Sequence, residues 1–230
     1  MTTTLITGGN KSLGFETARR LIEAGQAVWI GARDEGRGRA AAAQPGARYV
    51  QLDVTDDESV AAAAATIAAA GGLDVLINNA GVVGPRVAPD QLTGADMLET
   101  YDTNVFGIVR MTTAFLPILR ESSAPAIINV TSGLGSFATV NDPSSVASGY
   151  VIPTYCSSKS AVNMLTVQYA KAFPDIRINA ADPGYTATDF NGHSGTQTVT
   201  EGTDAVVGLA LQSADGQTGT LVDRDGIEPF

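Results

Sequence analysis

The stretch Thr7-Gly8-Gly9-Asn10-Lys11-Ser12-Leu13-Gly14 decides how the rest of the chain is interpreted. It follows the short apolar run Thr4-Leu5-Ile6 and opens a segment with helical spacing. Glycine permits a tight turn and a close approach of the backbone to a ligand, and the N-terminus of a helix presents unpaired N–H groups. A strand, a glycine turn and a helix in this order predict a site for the pyrophosphate of a dinucleotide. Glycine-rich turns also occur in ordinary loops, so this prediction depends on the rest of the chain.

The composition is that of a globular protein. The chain has 230 residues, of which 44% are hydrophobic and 17% charged, and we expect one domain over residues 1–230. No apolar run reaches the ~18 residues of a membrane span, and the N-terminus leads directly into a predicted strand. The single cysteine, Cys156, cannot form an internal disulfide, which is typical of the cytoplasm. The net charge of −10 argues against nucleic acid or a membrane surface as a partner.

Apolar runs alternate with helical segments along the whole chain. After the first strand, the predicted strands cover residues 27–31, 48–52, 73–77, 126–130, 177–181 and 220–222. The predicted helices cover about 13–24, 58–70, 95–120, 153–173 and 201–212, and the third of them is expected to bend or divide near Asn104. This alternation predicts an α/β fold with three layers, a doubly wound parallel sheet of about seven strands in the Rossmann arrangement.

The end of the second strand bears on the choice of cofactor. In a dinucleotide fold an acid at this point binds the ribose of NAD, whereas an arginine accommodates the additional phosphate of NADP. Ala32 and Arg33 occupy this point, which favours NADP(H). Asp34 is adjacent, and a small shift of the alignment would reverse the preference, so NAD(H) stays possible.

Further stretches, together with the opening turn, resemble the short-chain dehydrogenase/reductase family, in its compact, carbonyl-reductase-like branch. The resemblance runs from Thr4 to about Val222. The matching pieces are Asn78-Asn79-Ala80-Gly81, Asn104, Ser132, Tyr155-Cys156-Ser157-Ser158-Lys159 and Pro183-Gly184-Tyr185-Thr186-Ala187-Thr188.

The resemblance implies that Asn104, Ser132, Tyr155 and Lys159 form a catalytic group. Tyr155 and Lys159 are four residues apart, so they share one face of a helix. A nearby ammonium lowers the pKa of a phenol, which is near 10 in water, because it favours the phenolate. Tyr155 would exchange a proton with the substrate oxygen, and Lys159 would hold the nicotinamide ribose. Ser132 would stabilise the oxyanion, and Asn104 would let a water connect Lys159 to solvent.

The resemblance also implies a nicotinamide cofactor and a small-molecule carbonyl or alcohol substrate. The implied cofactor contacts are Gly8, Asn10, Lys11, Ser12, Leu13, Gly14, Arg33, Asp53, Val54, Asn79, Ala80, Gly81, Tyr155, Lys159, Pro183, Gly184, Thr186 and Thr188. Tyr185 and Asn191 are expected to shape the substrate pocket, and residues 185–199 to form a mobile lid. No cluster of His, Cys or carboxylates suggests a metal, and the only histidine, His193, lacks partners for catalysis.

Two positions depart from the family pattern. Ser12 stands where the family usually has its middle glycine, and a left-handed backbone there would cost a serine roughly 1–2 kcal/mol. If the backbone is not left-handed, the hydroxyl is free to bond a phosphate. Tyr155 follows Ser132 by 23 positions, longer than the usual family spacing, so residues 136–152 are interpreted as an inserted surface loop. This loop lies either at the substrate entrance or in solvent without consequence.

These observations favour an NADP-dependent oxidoreductase with tyrosine as general acid and base. The alternative is a Rossmann protein that binds dinucleotide as a redox sensor without turnover, although a sensor has no need of a Tyr/Lys pair. A sugar-nucleotide epimerase would need a substrate domain after the sixth strand, where only 49 residues remain. Relatives associate through the helices that match 95–120 and 153–173, so the resemblance implies a homodimer or homotetramer.

Overall fold

The computed structural model describes every residue from Met1 to Phe230 and contains one sheet of eight strands. The strands are β1 (Thr3–Thr7), β2 (Ala27–Ala32), β3 (Arg48–Gln51), β4 (Val75–Asn78), β5 (Ala126–Val130), β6 (Arg177–Ala181), β7 (Leu221–Val222) and β8 (Ile227–Glu228). Their order in the sheet is β3-β2-β1-β4-β5-β6-β7-β8. All neighbours are parallel except β7 and β8, which are antiparallel. The order reverses between β1 and β4, where open parallel sheets bind their ligands.

Helices cover both faces of the sheet. They are α1 (Ser12–Glu23), α2 (Glu35–Ala43), α3 (Asp57–Ala69), α4 (Gly94–Tyr101), α5 (Gly107–Leu119), α6 (Phe137–Asn141), α7 (Pro153–Ala172), α8 (Val199–Gly202) and α9 (Asp204–Ala210). A π-helix joins α4 to α5 over Asp102–Phe106, and short 3₁₀ turns cover Gly133–Gly135, Val146–Gly149 and Asp189–Asn191. None of the helices combines the length and the apolar character needed to cross a membrane.

The core consists of two apolar layers, one on each face of the sheet. Successive residues of a strand point to opposite faces. Leu5 and Leu76 therefore pack on one side with Phe115 of α5, while Ile6 and Ile77 pack on the other side with residues of α1 and α9. The central strands are apolar on both faces, as expected for a parallel sheet covered by helices. The structure thus confirms the doubly wound α/β fold.

The structure corrects the strand count and several boundaries. It has eight strands instead of about seven, because a turn after Val222 returns the chain as the antiparallel strand β8. The helix α2 has no counterpart among the predicted helices, although Asp34 caps it by accepting a hydrogen bond from the Arg37 N–H at 2.8 Å. The predicted helix over 201–212 is divided into α8 and α9 at Thr203.

The predicted surface loop over residues 136–152 contains regular structure. It holds the helix α6 and the 3₁₀ turn Val146–Gly149. Each begins at a serine whose hydroxyl accepts a backbone hydrogen bond, Ser136 from Thr139 and Ser145 from Ala147. Glycine, proline, asparagine and serine suggest a loop by composition, but the two serines here act as helix caps.

Candidate active site

A cleft of about 720 Å³ opens at the carboxyl ends of the central strands. Its size is within the range of small-molecule and cofactor sites. The glycine turn after β1 forms one end of the cleft, and the start of α7 together with residues 185–194 forms the other. The position agrees with the point of strand-order reversal between β1 and β4.

The glycine turn is shaped so that side chains would not fit beneath it. Gly8 has φ +63°, and a Cβ added to it would lie 3.1 Å from the Cα of Ala80. A Cβ on Gly14 would lie 2.6 Å from the Asn79 Nδ2 atom. That amide donates to the carbonyl oxygens of Thr7, at 2.8 Å, and Gly8, at 3.2 Å. The backbone of the turn is therefore held against the end of β4, with the start of α1 directed at the cleft.

Ser12 adopts the left-handed conformation that the sequence left open. Its φ is +47°, at the first residue of α1. A non-glycine residue with this backbone conformation costs about 1–2 kcal/mol relative to glycine. The strain lies at the mouth of the cleft, since Ser12 lines it.

Tyr155 and Lys159 converge inside the cleft, one helical turn apart on α7. They are 9% and 5% exposed, respectively, and both line the cleft. The Lys159 Nζ atom lies 5.6 Å from the centroid of the Tyr155 ring. It donates a hydrogen bond to the carbonyl oxygen of Val130, the last residue of β5, at 2.8 Å. The helix and the strand end thus hold the ammonium beside the phenol.

The pKa of Tyr155 differs from the expectation drawn from sequence. Burial raises the pKa of this phenol well above its ordinary value, the negative charge of Asp182 raises it further, and hydrogen bonding with Ser132 opposes the rise. Burial lowers the pKa of Lys159 to about 8, against the opposing effect of Asp182. The loss of water around each group is the largest influence on its pKa, and Tyr155 is a protonated phenol at neutral pH.

Ser132 is fixed by the turn that follows β5. Its hydroxyl accepts a hydrogen bond from the Leu134 N–H at 3.2 Å and so caps the 3₁₀ turn Gly133–Gly135. A Cβ on Gly135 would lie only 2.6 Å from the carbonyl carbon of Lys159. The absence of a side chain at Gly135 lets the turn pack directly on α7, which sets Ser132 relative to Tyr155.

Asn104 lies beneath the cleft and does not line it. It is 1% exposed and belongs to the π-helix Asp102–Phe106, which divides the predicted helix 95–120 into α4 and α5 near this residue, one of the two expected outcomes. Its side chain accepts from the Val82 N–H at 2.8 Å and donates to the Val82 carbonyl at 2.9 Å and to the Ser158 hydroxyl at 3.0 Å. Asn104 therefore connects the segment after β4 to α7. A π-bulge of this kind is frequent at functional sites.

The cleft collects every residue for which a cofactor contact was expected. The lining includes Gly8, Asn10, Lys11, Ser12, Leu13, Gly14, Arg33, Asp53, Val54, Asn79, Ala80, Gly81, Tyr155, Lys159, Pro183, Gly184, Thr186 and Thr188. Arg33 is exposed and lines the cleft, whereas the neighbouring carboxylate of Asp34 is used to cap α2. The residues present therefore fit a dinucleotide.

Residues 185–199 lie over the cleft and make contacts among themselves and with the glycine turn. Tyr185 and Asn191 line the cleft, and the Tyr185 hydroxyl is 2.7 Å from that of Ser194. A parallel bridge joins Thr186 to Gln197. The Asp189 carboxylate lies 3.4 Å from the Lys11 ammonium, so this segment contacts the glycine turn across the cleft.

Several lining residues had no counterpart in the sequence predictions. Phe190 lies against Tyr155 with ring centroids 5.6 Å apart, and Tyr150 lies 6.2 Å from Tyr185. Val146, Tyr150 and Ile152 also line the cleft, so the segment 136–152 occupies the first of the two positions that the sequence left open for it, although these three residues were not singled out. The aromatic residues within these polar stretches were the available signal. Asp182 also lines the cleft, and its position next to Pro183 could have indicated it.

Comparison with known proteins identifies the family. The model of the family described as "short chain dehydrogenase" matches residues 2–198. The chain therefore belongs to the short-chain dehydrogenases. Members of this family bind a nicotinamide cofactor and act on alcohol and carbonyl groups, which makes the protein an oxidoreductase of that kind.

Individual relatives agree with this family over almost their whole length. The chain is 36% identical to the short-chain dehydrogenase anuI of Penicillium roqueforti, over 96% of this chain and 93% of the relative. It is 30% identical to the (−)-isopiperitenone reductase of Mentha piperita, over 96% of each. The solved structure of NADPH-bound carbonyl reductase from chicken fatty liver superposes with a TM-score of 0.88 at 28% identity, over 100% of this chain and 99% of that one.

Proposed function

We propose that the protein catalyses NADP(H)-dependent interconversion of a carbonyl compound and the corresponding secondary alcohol, with Tyr155 as the general acid and base. The observation that carries this proposal is the convergence of Tyr155, Lys159 and Ser132 in one cleft with the glycine turn. A phenol, an ammonium and a hydroxyl in one cleft are the groups needed to move a proton to or from an oxygen.

The burial of Tyr155 suits reduction of a carbonyl group. A bound nicotinamide would supply the hydride to the carbonyl carbon. The Tyr155 hydroxyl, which holds its proton at neutral pH, then donates that proton to the carbonyl oxygen. The Ser132 hydroxyl, which faces the same space, donates a hydrogen bond to the oxygen as negative charge develops there. In the oxidation direction the same two groups act in reverse.

Lys159 has two parts in this proposal. With a pKa of about 8 it is mostly protonated at neutral pH. The ammonium is placed to bind the ribose hydroxyls of the cofactor and to favour the phenolate that Tyr155 becomes after it gives up its proton. Asn104, which connects the segment after β4 to α7, would position a water that carries the proton back to Tyr155 through Lys159.

The preference for NADP(H) over NAD(H) rests on the cations at one end of the cleft. Arg33 and Lys11 line this end, and both are exposed. The acid that would otherwise favour NAD, Asp34, is engaged in capping α2. The carbonyl reductase from chicken is described as NADPH-bound, which supports the same choice here. Guanidinium and ammonium groups bind phosphate by charge-assisted hydrogen bonds.

The substrate side of the cleft favours a small, uncharged carbonyl compound with apolar bulk. Its lining includes Val146, Tyr150, Ile152 and Phe190, contributed by segments 136–152 and 185–199. We propose that the first segment is an insertion at the substrate entrance and the second a lid that closes on the substrate. Tyr185 and Asn191 would contact the substrate from the lid. Relatives named as an isopiperitenone reductase and a neomenthol dehydrogenase support a compact apolar substrate.

We further propose that the protein is cytoplasmic and self-associates through its long helices. Leu98, Phe106 and Met164 are large apolar side chains on α4, the π-helix and α7, and they are 59%, 40% and 59% exposed. Exposed apolar side chains on neighbouring helices are typical of an association surface. Sedimentation at micromolar concentration should show a species of twice or four times 23.6 kDa. A single species at the monomer mass would exclude the oligomer.

A substrate panel tests the proposed activity. Purified protein is mixed with NADPH and with cyclic and open-chain ketones and aldehydes, and oxidation of the cofactor is followed by absorbance. We expect turnover with at least one uncharged ketone and a lower rate with NADH. Tight binding of NADPH without oxidation in the presence of any member of the panel would favour a non-catalytic redox sensor instead.

A further inference from the structure

Two carboxyl groups meet directly behind the turn that carries Ser132. Asp182 follows β6 and is 9% exposed, and Glu228 lies on the antiparallel strand β8. Both reach Gly133, where an added Cβ would lie 3.0 Å from Asp182 Oδ2 and 3.3 Å from Glu228 Oε1. The side chains come from elements far apart in sequence, so only the tertiary fold brings them together.

The hydrogen bonds around this pair leave one oxygen without a donor. Asp182 Oδ1 accepts from the Gly184 N–H at 2.9 Å, and its carboxylate also accepts from the backbone of Gly133. Glu228 Oε1 accepts from the Thr139 hydroxyl at 2.7 Å. Glu228 Oε2 is buried and has no donor. Its available partner is the carboxyl group of Asp182, and two carboxyl groups form a hydrogen bond only when one of them holds a proton.

The surrounding charges favour retention of that proton. Burial raises the pKa of both carboxyl groups, that of Glu228 to about 7, and the negative charge of Asp223, in the turn between β7 and β8, raises both further. The turn Gly133–Gly135 carries no charge, and α6 contributes the neutral Thr139. On α7, Tyr155 is a neutral phenol, and Lys159 is the one cation that acts on Asp182.

We propose that Asp182 and Glu228 share one proton and serve as a positioning pair, whose single remaining negative charge keeps the buried Lys159 protonated. The role toward Lys159 rests on the proposed function, whereas the shared proton does not. Neither carboxyl group touches the reacting atoms in this proposal. The pair acts through Lys159 and through the turn that holds Ser132.

The proposal fixes the sign of a pH effect on stability. The folded chain retains the shared proton at pH values where an ordinary glutamic acid has lost it in the unfolded chain. The free energy of unfolding therefore falls as pH rises from about 4.5 through about 7, the value to which burial raises the pKa of Glu228. Above that range the pair carries two negative charges and is no longer hydrogen-bonded to itself.

Thermal unfolding and infrared spectroscopy test the shared proton. Glu228→Gln keeps a hydrogen bond to Asp182 through its amide but has no proton to lose, and Glu121→Gln is the control at an exposed glutamate. We expect the melting temperature of the original protein and of the control to fall by several degrees between pH 6 and pH 9, and that of Glu228→Gln to fall less. At pH 6 the infrared band of a buried protonated carboxyl group should be present in the original protein and absent in Glu228→Gln. Equal pH dependence, or an unchanged band, would refute the shared proton.

A titration of Lys159 tests the positioning role without any assay of activity. The chain has three lysines, Lys11, Lys159 and Lys171, so labelling of lysine side chains gives three signals that Lys11→Arg and Lys171→Arg assign. Asp182→Asn should lower the pKa of Lys159 by about one unit, since a nearby opposite charge is lost. Glu228→Gln should leave the pKa of Lys159 unchanged, because the negative charge on Asp182 remains. A pKa of Lys159 that Asp182→Asn does not move would overturn the positioning role.

Kinetics then separate this proposal from the proposed function. If the protein is an oxidoreductase as proposed, kcat should begin to fall at a lower pH in Asp182→Asn than in the original protein, because the pKa of Lys159 is lower. In Glu228→Gln the pH at which kcat begins to fall should be unchanged. If the original protein turns over no substrate, the proposed function fails. The unfolding and infrared results still decide whether the two carboxyl groups share a proton, and the titration still decides whether Asp182 acts on Lys159.

Discussion

The floor and the roof of the cleft are built differently. The floor consists of the strand ends and α7 and holds Tyr155 and Lys159, both almost fully buried. The roof consists of segments 136–152 and 185–199, where Val146 is 69% exposed and Phe190 is 42% exposed. Rigid elements hold groups that must move a proton, and surface segments carry groups that select a substrate. Changes to the Tyr155 and Ser132 part of the floor should therefore affect the chemical step. Changes to the cofactor end of the floor should affect cofactor binding, and changes to the roof should affect substrate binding.

The largest effect is expected from removal of the proton donor in the floor. Tyr155→Phe keeps the ring that packs on Phe190 but removes the hydroxyl. We expect kcat/KM for ketone reduction to fall roughly 10³-fold, mainly through kcat, with an unchanged melting temperature. A loss of less than tenfold in steady-state kinetics would show that another group donates the proton.

Removal of the Ser132 hydroxyl, the second catalytic hydroxyl of the floor, should lower kcat less than removal of the Tyr155 hydroxyl. Ser132→Ala removes the hydrogen bond to the developing oxyanion and also the cap of the turn Gly133–Gly135. We expect kcat to fall roughly 10²-fold, as for other donors to an oxyanion. Ser157→Ala is the matched control, since that hydroxyl donates only to its own helix, at Pro153 and Thr154. Equal losses in both variants would point to damage of the helix and not of the chemistry.

The cofactor end of the floor should show an intermediate effect on binding alone. Arg33→Ala removes a guanidinium that lines the cleft where the additional phosphate of NADP would lie. The ratio of kcat/KM for NADPH to that for NADH should fall roughly tenfold, because a charge-assisted hydrogen bond at an exposed arginine contributes about 1.5 kcal/mol, the lower end of the usual range. Arg37→Ala, also at the start of α2, serves as control. An unchanged ratio in Arg33→Ala would remove Arg33 from the choice of cofactor.

The smallest effect is expected in the roof. Phe190→Ala removes an apolar side chain from the wall of the cleft. Among the catalytic groups of the floor, only the Tyr155 ring loses a contact. KM for an apolar ketone should rise by roughly 3- to 10-fold while kcat changes less, since the lost apolar contact contributes about 1 kcal/mol. If kcat falls more than KM rises, the roof positions Tyr155, and the separation of floor from roof does not hold.

The sequence was informative about the floor because its signals are local. The glycine turn lies within eight residues, and the spacing of Tyr155 and Lys159 places both on one helical face without knowledge of the fold. Strand ends such as Ser132 and the segment Asn79–Gly81 follow from the alternation of strands and helices. Asn104 was identified through the family pattern, and the structure places it in a π-helix.

What the sequence did not predict depends on contacts between distant segments. Glu228 meets Asp182 only because β8 returns antiparallel to β7, and a two-residue strand has no pattern of its own. The pKa of Tyr155 was expected to be lowered, but burial in the folded chain raises it. The burial of Tyr155 arises only when the helices pack on the sheet, so the four-residue spacing between Tyr155 and Lys159 could not indicate how strongly burial raises the pKa. The roof aromatics Tyr150 and Phe190 stand in stretches whose composition is otherwise polar.

The close packing of Gly135 on the backbone of Lys159 has a consequence for directed evolution. A randomised library over Val146 and Ile152 should retain many active clones, because these side chains border open space. A library that includes Gly135 should lose most of its diversity at that position, since even alanine would displace α7. Variation of substrate range is therefore best confined to the two roof segments.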